Sequence, residues 1–145
     1  VLVGDGVQKQ ELLSQISNYK SKQKIHFLGF RSDIKELVSA CDALVLPSHI
    51  ETFSLTTLQA FATGTPCVAS DVGGTPEQVL DKFNGLLFED NNSKELAEKL
   101  SQLLTDRELH DYLVDNGKKL SASYLNTDRM TCDIENIYVE LTKRK

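Results

Sequence analysis

The chain has no tryptophan, one methionine, three prolines and three cysteines in 145 residues, and it carries no excess of basic charge. Each scarcity removes a class of function. Cys41, Cys67 and Cys132 are odd in number and show neither metal-type nor redox-type spacing, which argues against a disulfide framework, a zinc site or a thioredoxin-like motif. That usage fits a reducing, cytoplasmic compartment. The 16 Lys and Arg against 21 Asp and Glu leave a net charge of −5, whereas nucleic-acid binding wants a basic face. No apolar run approaches the ~18 residues needed to span a bilayer. No signal peptide is visible.

What is present is the composition of a globular α/β domain, 40% hydrophobic and 26% charged. The chain opens inside an apolar run, Val1–Leu2–Val3, without an initiating Met, and we read it as a piece of a longer protein. Short apolar strands are expected at Val1–Gly4, Lys24–Leu28, Asp42–Leu46, Cys67–Ser70 and Leu86–Phe88. Between and after them, helical spacing predicts helices from about Val7 to Lys20, after Ser32 or Asp33, from Leu55 to Thr63, and from Ser93 to Leu104. Two more follow, one from Asp106 that breaks near Asn116–Gly117 or runs to Tyr124, and one over Thr127–Lys143. Thr75 should cap a short helix with Pro76 in its first position. Strands alternating with helices imply βαβ units, hence a single Rossmann-like, doubly wound domain with a parallel sheet covered on both faces. Cys41 and Cys67 sit among apolar residues and are expected in the core.

The stretch from Pro47 to Ala60 carries the chemistry. It leaves the strand Ala43–Leu44–Val45–Leu46, crosses a polar loop holding Glu51, and enters a helix stopped by Gly64 and Pro66. Ligands in open α/β sheets sit outside the carboxyl ends of the strands. A helix N-terminus there offers N–H groups without intrahelical partners and a dipole that favours anions. Within the helix, Leu55, Leu58, Phe61 and Ala62 read as the buried stripe, and Thr56, Gln59 and Thr63 as a polar line. A solvated face would explain that line; so would the hydroxyls of a sugar or ribose, which carboxylate and amide oxygens accept.

Other candidates have plainer readings beside them. Gly4–Asp5–Gly6 follows a strand, but Lys9 stands where a dinucleotide fingerprint wants its third glycine, so a tight turn is preferred. Phe30 and Arg31 lie at a strand's carboxyl end, where a ring and a guanidinium could border a nucleotide base. Gly73–Gly74 and Glu77 form a turn and cap, or let backbone approach a ligand closely. His49 is a surface residue or a general base; His26 and His110 read as structural. No His, Cys and carboxylate set has metal spacing.

Taken together, Pro47–Ser48, Glu51, Phe53, Leu55, Ala60, Gly64–Thr65–Pro66, Gly73–Gly74, Glu77 and Asn84–Gly85 resemble the retaining glycosyltransferases of family four. Gly4–Asp5–Gly6 and Phe27–Leu28–Gly29 stand where that family has them, so the resemblance covers nearly the whole chain. It implies the C-terminal, donor-binding half of a GT-B architecture, two Rossmann-like domains facing across a cleft. It implies that Glu51, the first Glu of an E-x7-E motif, contacts the donor sugar and steadies the transition state. Gly4, Phe30, Arg31, Thr52, Phe53, Ser54, Leu55, Thr56 and Gln59 would bind the nucleotide-diphosphate sugar. No cofactor or metal is implied, the nucleotide sugar being the substrate. The acceptor, a glycan or lipid-linked glycan, would belong to an N-terminal domain outside this chain, through which such enzymes often dock on the cytoplasmic face of a membrane. Three departures stand out. Gln59 replaces the second Glu and loses charge-assisted hydrogen bonds. Thr52 and Ser54 replace glycines and would crowd the donor. The family's diphosphate-binding Arg and Lys lie before residue 1. A non-catalytic nucleotide-binding or regulatory module, and a GT-B sugar-nucleotide epimerase, are the alternatives.

Overall fold

The computed structural model of the chain describes residues 1–17 and 19–143. Its elements alternate as the apolar pattern predicts, and they gather into two compact units, Val1–Ile34 and Lys35–Lys145.

In the first unit, strand β1 (Leu2–Val3) pairs in parallel with β2 (Phe27–Gly29). Helix α1 (Lys9–Ser17) and a 3-10 turn at Lys22–Lys24 connect them. Gly4 at φ +119° and Gly29 at φ +65° hold conformations that a side chain would strain. The Gly4 N–H donates to the Gly29 carbonyl at 2.8 Å, which extends the pairing past β1. Helix α1 ends at Ser17, and the expected continuation to Lys20 crosses residue 18, outside the described residues.

Helix α2 (Ile34–Ser39) leads into the second unit, where β3 (Leu44–Leu46), β4 (Cys67–Ser70) and β5 (Leu86–Phe88) form a parallel sheet in that order. The connections are α3 (Leu55–Thr63) and the one-turn α4 (Thr75–Gln78); α5 (Ser93–Thr105), α6 (Arg107–Ser123) and α7 (Thr127–Lys143) follow. Side chains alternate across β4. Val68 packs with Leu86, Phe88, Leu103 and Leu113, whereas Cys67 and Ala69 pack with Phe61 and Val79. Apolar residues on both faces of a central strand are what a parallel sheet with two covered faces requires. Burying a Leu or Phe such as Leu86, Leu113 or Phe61 contributes about 1.5–3 kcal/mol.

Several local expectations are settled or corrected. Of the two readings left open at Asn116–Gly117 the continuous helix is the observed one: α6 runs to Ser123, and Gly117 packs so closely that a Cβ there would stand 2.9 Å from Cδ1 of Phe61. Gly74, not Thr75, is the N-cap of α4, and Asn92 caps α5 by accepting from the Glu95 N–H at 3.1 Å. In α3 the buried residues are Thr57, Ala60 and Phe61, while Leu55 is 71% exposed and Ala62 is also exposed. Cys67 is fully buried as expected, but Cys41 is only half-buried. No helix among the described residues is long and apolar enough to cross a membrane.

Candidate functional site

β3 delivers its chain end at Leu46, and Pro47 to Ser54 form the loop that returns into α3. The loop is anchored from below by Ser70 at the end of β4, whose Oγ donates to the Ser48 carbonyl at 2.5 Å and to that of Leu46 at 3.3 Å. Glu51 is half-buried, and its Oε1 accepts from the Thr52 N–H at 3.1 Å. Thr52 and Phe53 are exposed.

Ser54 ends the loop, and its role is local. Its Oγ accepts from the Thr57 N–H at 3.3 Å, so it is the N-cap of α3, and only 5% of the residue is exposed. The hydroxyl therefore turns back onto the helix instead of outward, and of the two side chains replacing glycine only Thr52 stands free at the surface. The N–H groups of Leu55 and Thr56, in the first turn, have no intrahelical acceptor. They face the loop with the positive end of the helix dipole behind them.

The paired glycines at 73 and 74 serve the protein's own backbone. A Cβ on Gly73 would overlap the Glu51 carbonyl oxygen, and one on Gly74 that of Thr52. The Gly74 N–H donates to the Glu51 carbonyl at 2.9 Å. Sequence reasoning left this closeness open to a ligand; the structure fills it with the loop that carries Glu51. Sequence reasoning missed Gln78 outright and read Asn84 only as part of a turn and of the family resemblance. Gln78, with no exposed surface, accepts from the Ser54 N–H at 2.7 Å and donates to the Ser54 carbonyl at 3.1 Å. Asn84, equally buried, donates to the Gln78 carbonyl at 2.8 Å and accepts from the Leu80 N–H at 2.7 Å. The only available signal was an amide in an apolar context, which spacing does not interpret.

The remaining candidates separate. Gln59 is half-buried and lines a concavity of about 670 Å³ with Leu58, Ala62, Lys118, Ser121 and Leu125, and Glu51 is not among its walls. His49 is exposed, its Nδ1 2.8 Å from Asp90 Oδ1. Glu77 is exposed at the surface. Gly4, Phe30 and Arg31 belong to the first unit. There Gly4 lines a concavity of about 370 Å³ with Val3, Asp5, Gly6 and Phe27. Phe30 is 85% exposed beside Arg31. The Arg31 guanidinium grips Asp33 through Nε–Oδ1 at 2.8 Å and Nη2–Oδ2 at 2.5 Å. Those hydrogen bonds raise the arginine and hold the Asp33 carboxyl below its usual range. Among the described residues no group of His, Cys, Asp and Glu could hold a metal ion.

Residues 1–120 match the family described as glycosyl transferases group 1. N-acetyl-alpha-D-glucosaminyl L-malate synthase of Bacillus anthracis is 30% identical over 143 residues, covering 99% of this chain and 38% of that protein. The UDP-Gal:alpha-D-GlcNAc-diphosphoundecaprenol alpha-1,3-galactosyltransferase of Escherichia coli is 30% identical over 150 residues, covering 100% and 38%. Among solved structures, the Anabaena protein HepE in complex with UDP-glucose superposes with a TM-score of 0.88 at 30% identity, covering 96% of this chain and 40% of that one. The chain thus spans about two fifths of the length of these relatives. The Rossmann-like α/β class expected from the sequence is the observed one, shared with GT-B enzymes.

Proposed function

The chain belongs to the group 1 glycosyl transferases, and from that membership we propose that it supplies the donor-binding part of an enzyme that moves a glycosyl group from a nucleotide-diphosphate sugar to an acceptor with retention. One observation carries the reading. Glu51 stands on a fixed loop at the carboxyl end of β3, immediately before the N–H groups of Leu55 and Thr56, which have no intrahelical acceptor. That arrangement suits a ligand with hydroxyls at one end and a diphosphate at the other. Glu51 accepts hydrogen bonds from the donor sugar and faces the positive charge that grows on it as the bond to the diphosphate breaks. The helix N-terminus holds the departing diphosphate, whose negative charge increases in the same step. Thr52 and Phe53 shape the wall between them, and Gln59 meets the ribose. The nucleotide sugar is the substrate, and the reading requires no further cofactor.

The UDP-glucose bound by the Anabaena protein supports a UDP-sugar as the first donor to try. The diphosphoundecaprenol in the name of the Escherichia coli relative supports a glycan or lipid-linked glycan as acceptor, reached at the cytoplasmic face of the membrane through the rest of the protein. The test titrates UDP-, GDP- and ADP-sugars against the full-length protein and assays transfer by Glu51→Gln. Removing a charge that acts in the transition state should cost about a hundredfold or more in kcat, with donor affinity little changed. Undiminished transfer by Glu51→Gln would overturn the assignment.

Gln59 favours a second reading, a nucleotide-binding module that no longer catalyses. Restoring Gln59→Glu decides it. The native protein should lie within about tenfold of the variant, or 1.4 kcal/mol. Transfer seen only in the variant would favour the silent module.

A further inference from the structure

We propose that Gln78 is a positioning residue of this site: its buried carboxamide fixes the loop from Glu51 to Ser54, and thereby aims the first N–H groups of α3 at the diphosphate. In this role, which rests on the donor-binding reading above, Gln78 never touches the ligand. Its carboxamide instead makes a reciprocal pair with one residue of the loop. Oε1 accepts from the Ser54 N–H at 2.7 Å while Nε2 donates to the Ser54 carbonyl at 3.1 Å, as two peptide groups would pair across a sheet. Only a side chain with both an acceptor and a donor at that reach closes such a ring. Glutamate at neutral pH cannot donate, asparagine is a methylene short, and methionine does neither.

The anchor is itself anchored. Asn84 Nδ2 holds the Gln78 carbonyl at 2.8 Å, and Asn84 Oδ1 accepts from the Leu80 N–H at 2.7 Å. Gln78 and Asn84 have no exposed surface, and Ser54 only 5%, so water cannot substitute for a lost partner. From Ser54 the chain of hydrogen bonds continues into α3 through the cap on Thr57. At the other end of the loop the Gly74 N–H holds the Glu51 carbonyl at 2.9 Å. The loop is thus fixed at Glu51 and at Ser54, and the exposed residues Thr52 and Phe53 lie between the two fixed points. If Gln78 merely filled space, its amide bonds would be spread through the core; both of its side-chain bonds go to the residue where the loop becomes the helix.

The test uses the full-length protein with Gln78→Met, which keeps the side chain's length and removes both hydrogen bonds, and Leu113→Ala as a core variant that lowers stability without touching the loop. UDP, GDP and ADP are titrated, and the tightest binder is carried through. Gln78→Met should weaken its affinity about tenfold, the loss expected when one buried hydrogen-bonded anchor is removed. Leu113→Ala should leave affinity unchanged. Amide hydrogen exchange on the native protein supplies a measurement that survives if Gln78→Met fails to fold: the Ser54 N–H should exchange as slowly as the amides of β4. A Ser54 amide that exchanges like an open loop, or a folded Gln78→Met that binds as tightly as the native protein, overturns the proposal. If the native protein binds none of the three diphosphates while Ser54 is protected, and Gln78→Met loses that protection, the loop anchor stands and the donor-binding reading falls.

Discussion

Gly74→Ala isolates the approach that closes the site. Gly74 sits at φ −86° and ψ 0°, the bridge region that turn residues with side chains also occupy and not the left-handed region, so alanine can adopt that backbone. The added methyl would overlap the Thr52 carbonyl oxygen, a backbone atom that cannot rotate away. The Glu51–Ser54 loop must therefore lift, and the Gly74 N–H loses the Glu51 carbonyl it now holds at 2.9 Å. That hydrogen bond is worth about 1 kcal/mol. Displacing packed groups adds about 1–3 kcal/mol. Alanine returns about 0.4–1 kcal/mol by restricting the unfolded chain. The net is a loss of about 2 kcal/mol, or about 4–8 °C in Tm for a chain of this size. Urea unfolding should show a lower midpoint with an unchanged slope, and diphosphate affinity should fall as well. Gly6→Ala is the control: no atom lies within 4 Å of a Cβ there, so it should be neutral or slightly stabilising. A Gly74→Ala protein as stable as the native one would show that the loop does not rest on Gly74, and the account of the site would fail with it.

Ser54→Ala should destabilise by about 1 kcal/mol through loss of the cap on Thr57, and Ser54→Gly by only a few tenths, both read from denaturant midpoints. Equal losses would mean that the hydroxyl does more than cap. Burial pushes the Cys67 thiol up to about 12 from 9.0, so native protein should label rapidly at the exposed Cys132 and only on unfolding at Cys67. The sign for stability follows from the same shift. Below the unfolded thiol's value the full contribution is present; between about 9 and 12 only the unfolded chain ionises, and the folded-to-unfolded ratio falls about tenfold per pH unit from this group. Cys67→Ala should flatten that alkaline limb, and an unchanged limb would refute the assignment.

Local pattern settled the elements and their type. Apolar runs of three or four residues set between amphipathic stretches can bury themselves only as strands covered on both faces, and the strand, loop and helix around Glu51 were readable because each depends on neighbours in the chain. What pattern could not supply was partner choice across sequence distance. Leu55 reads as core by spacing yet is 71% exposed, because the face of α3 that is buried is the one Thr57 and Phe61 present to the sheet and to Gly117. Pattern left Asn116–Gly117 open between a break and a continuous helix; the helix continues, and only its packing shows why glycine stands there, since a Cβ would collide with Phe61. Gln78 and Ser54 are 24 residues apart, and the glycines at 73 and 74 meet Glu51 and Thr52 only once β3 and β4 lie side by side. The sequence by itself determined where a carboxylate and a helix start would stand together. Only the tertiary structure decided what holds them there, since a buried amide acquires its meaning from the partner that folding brings to it.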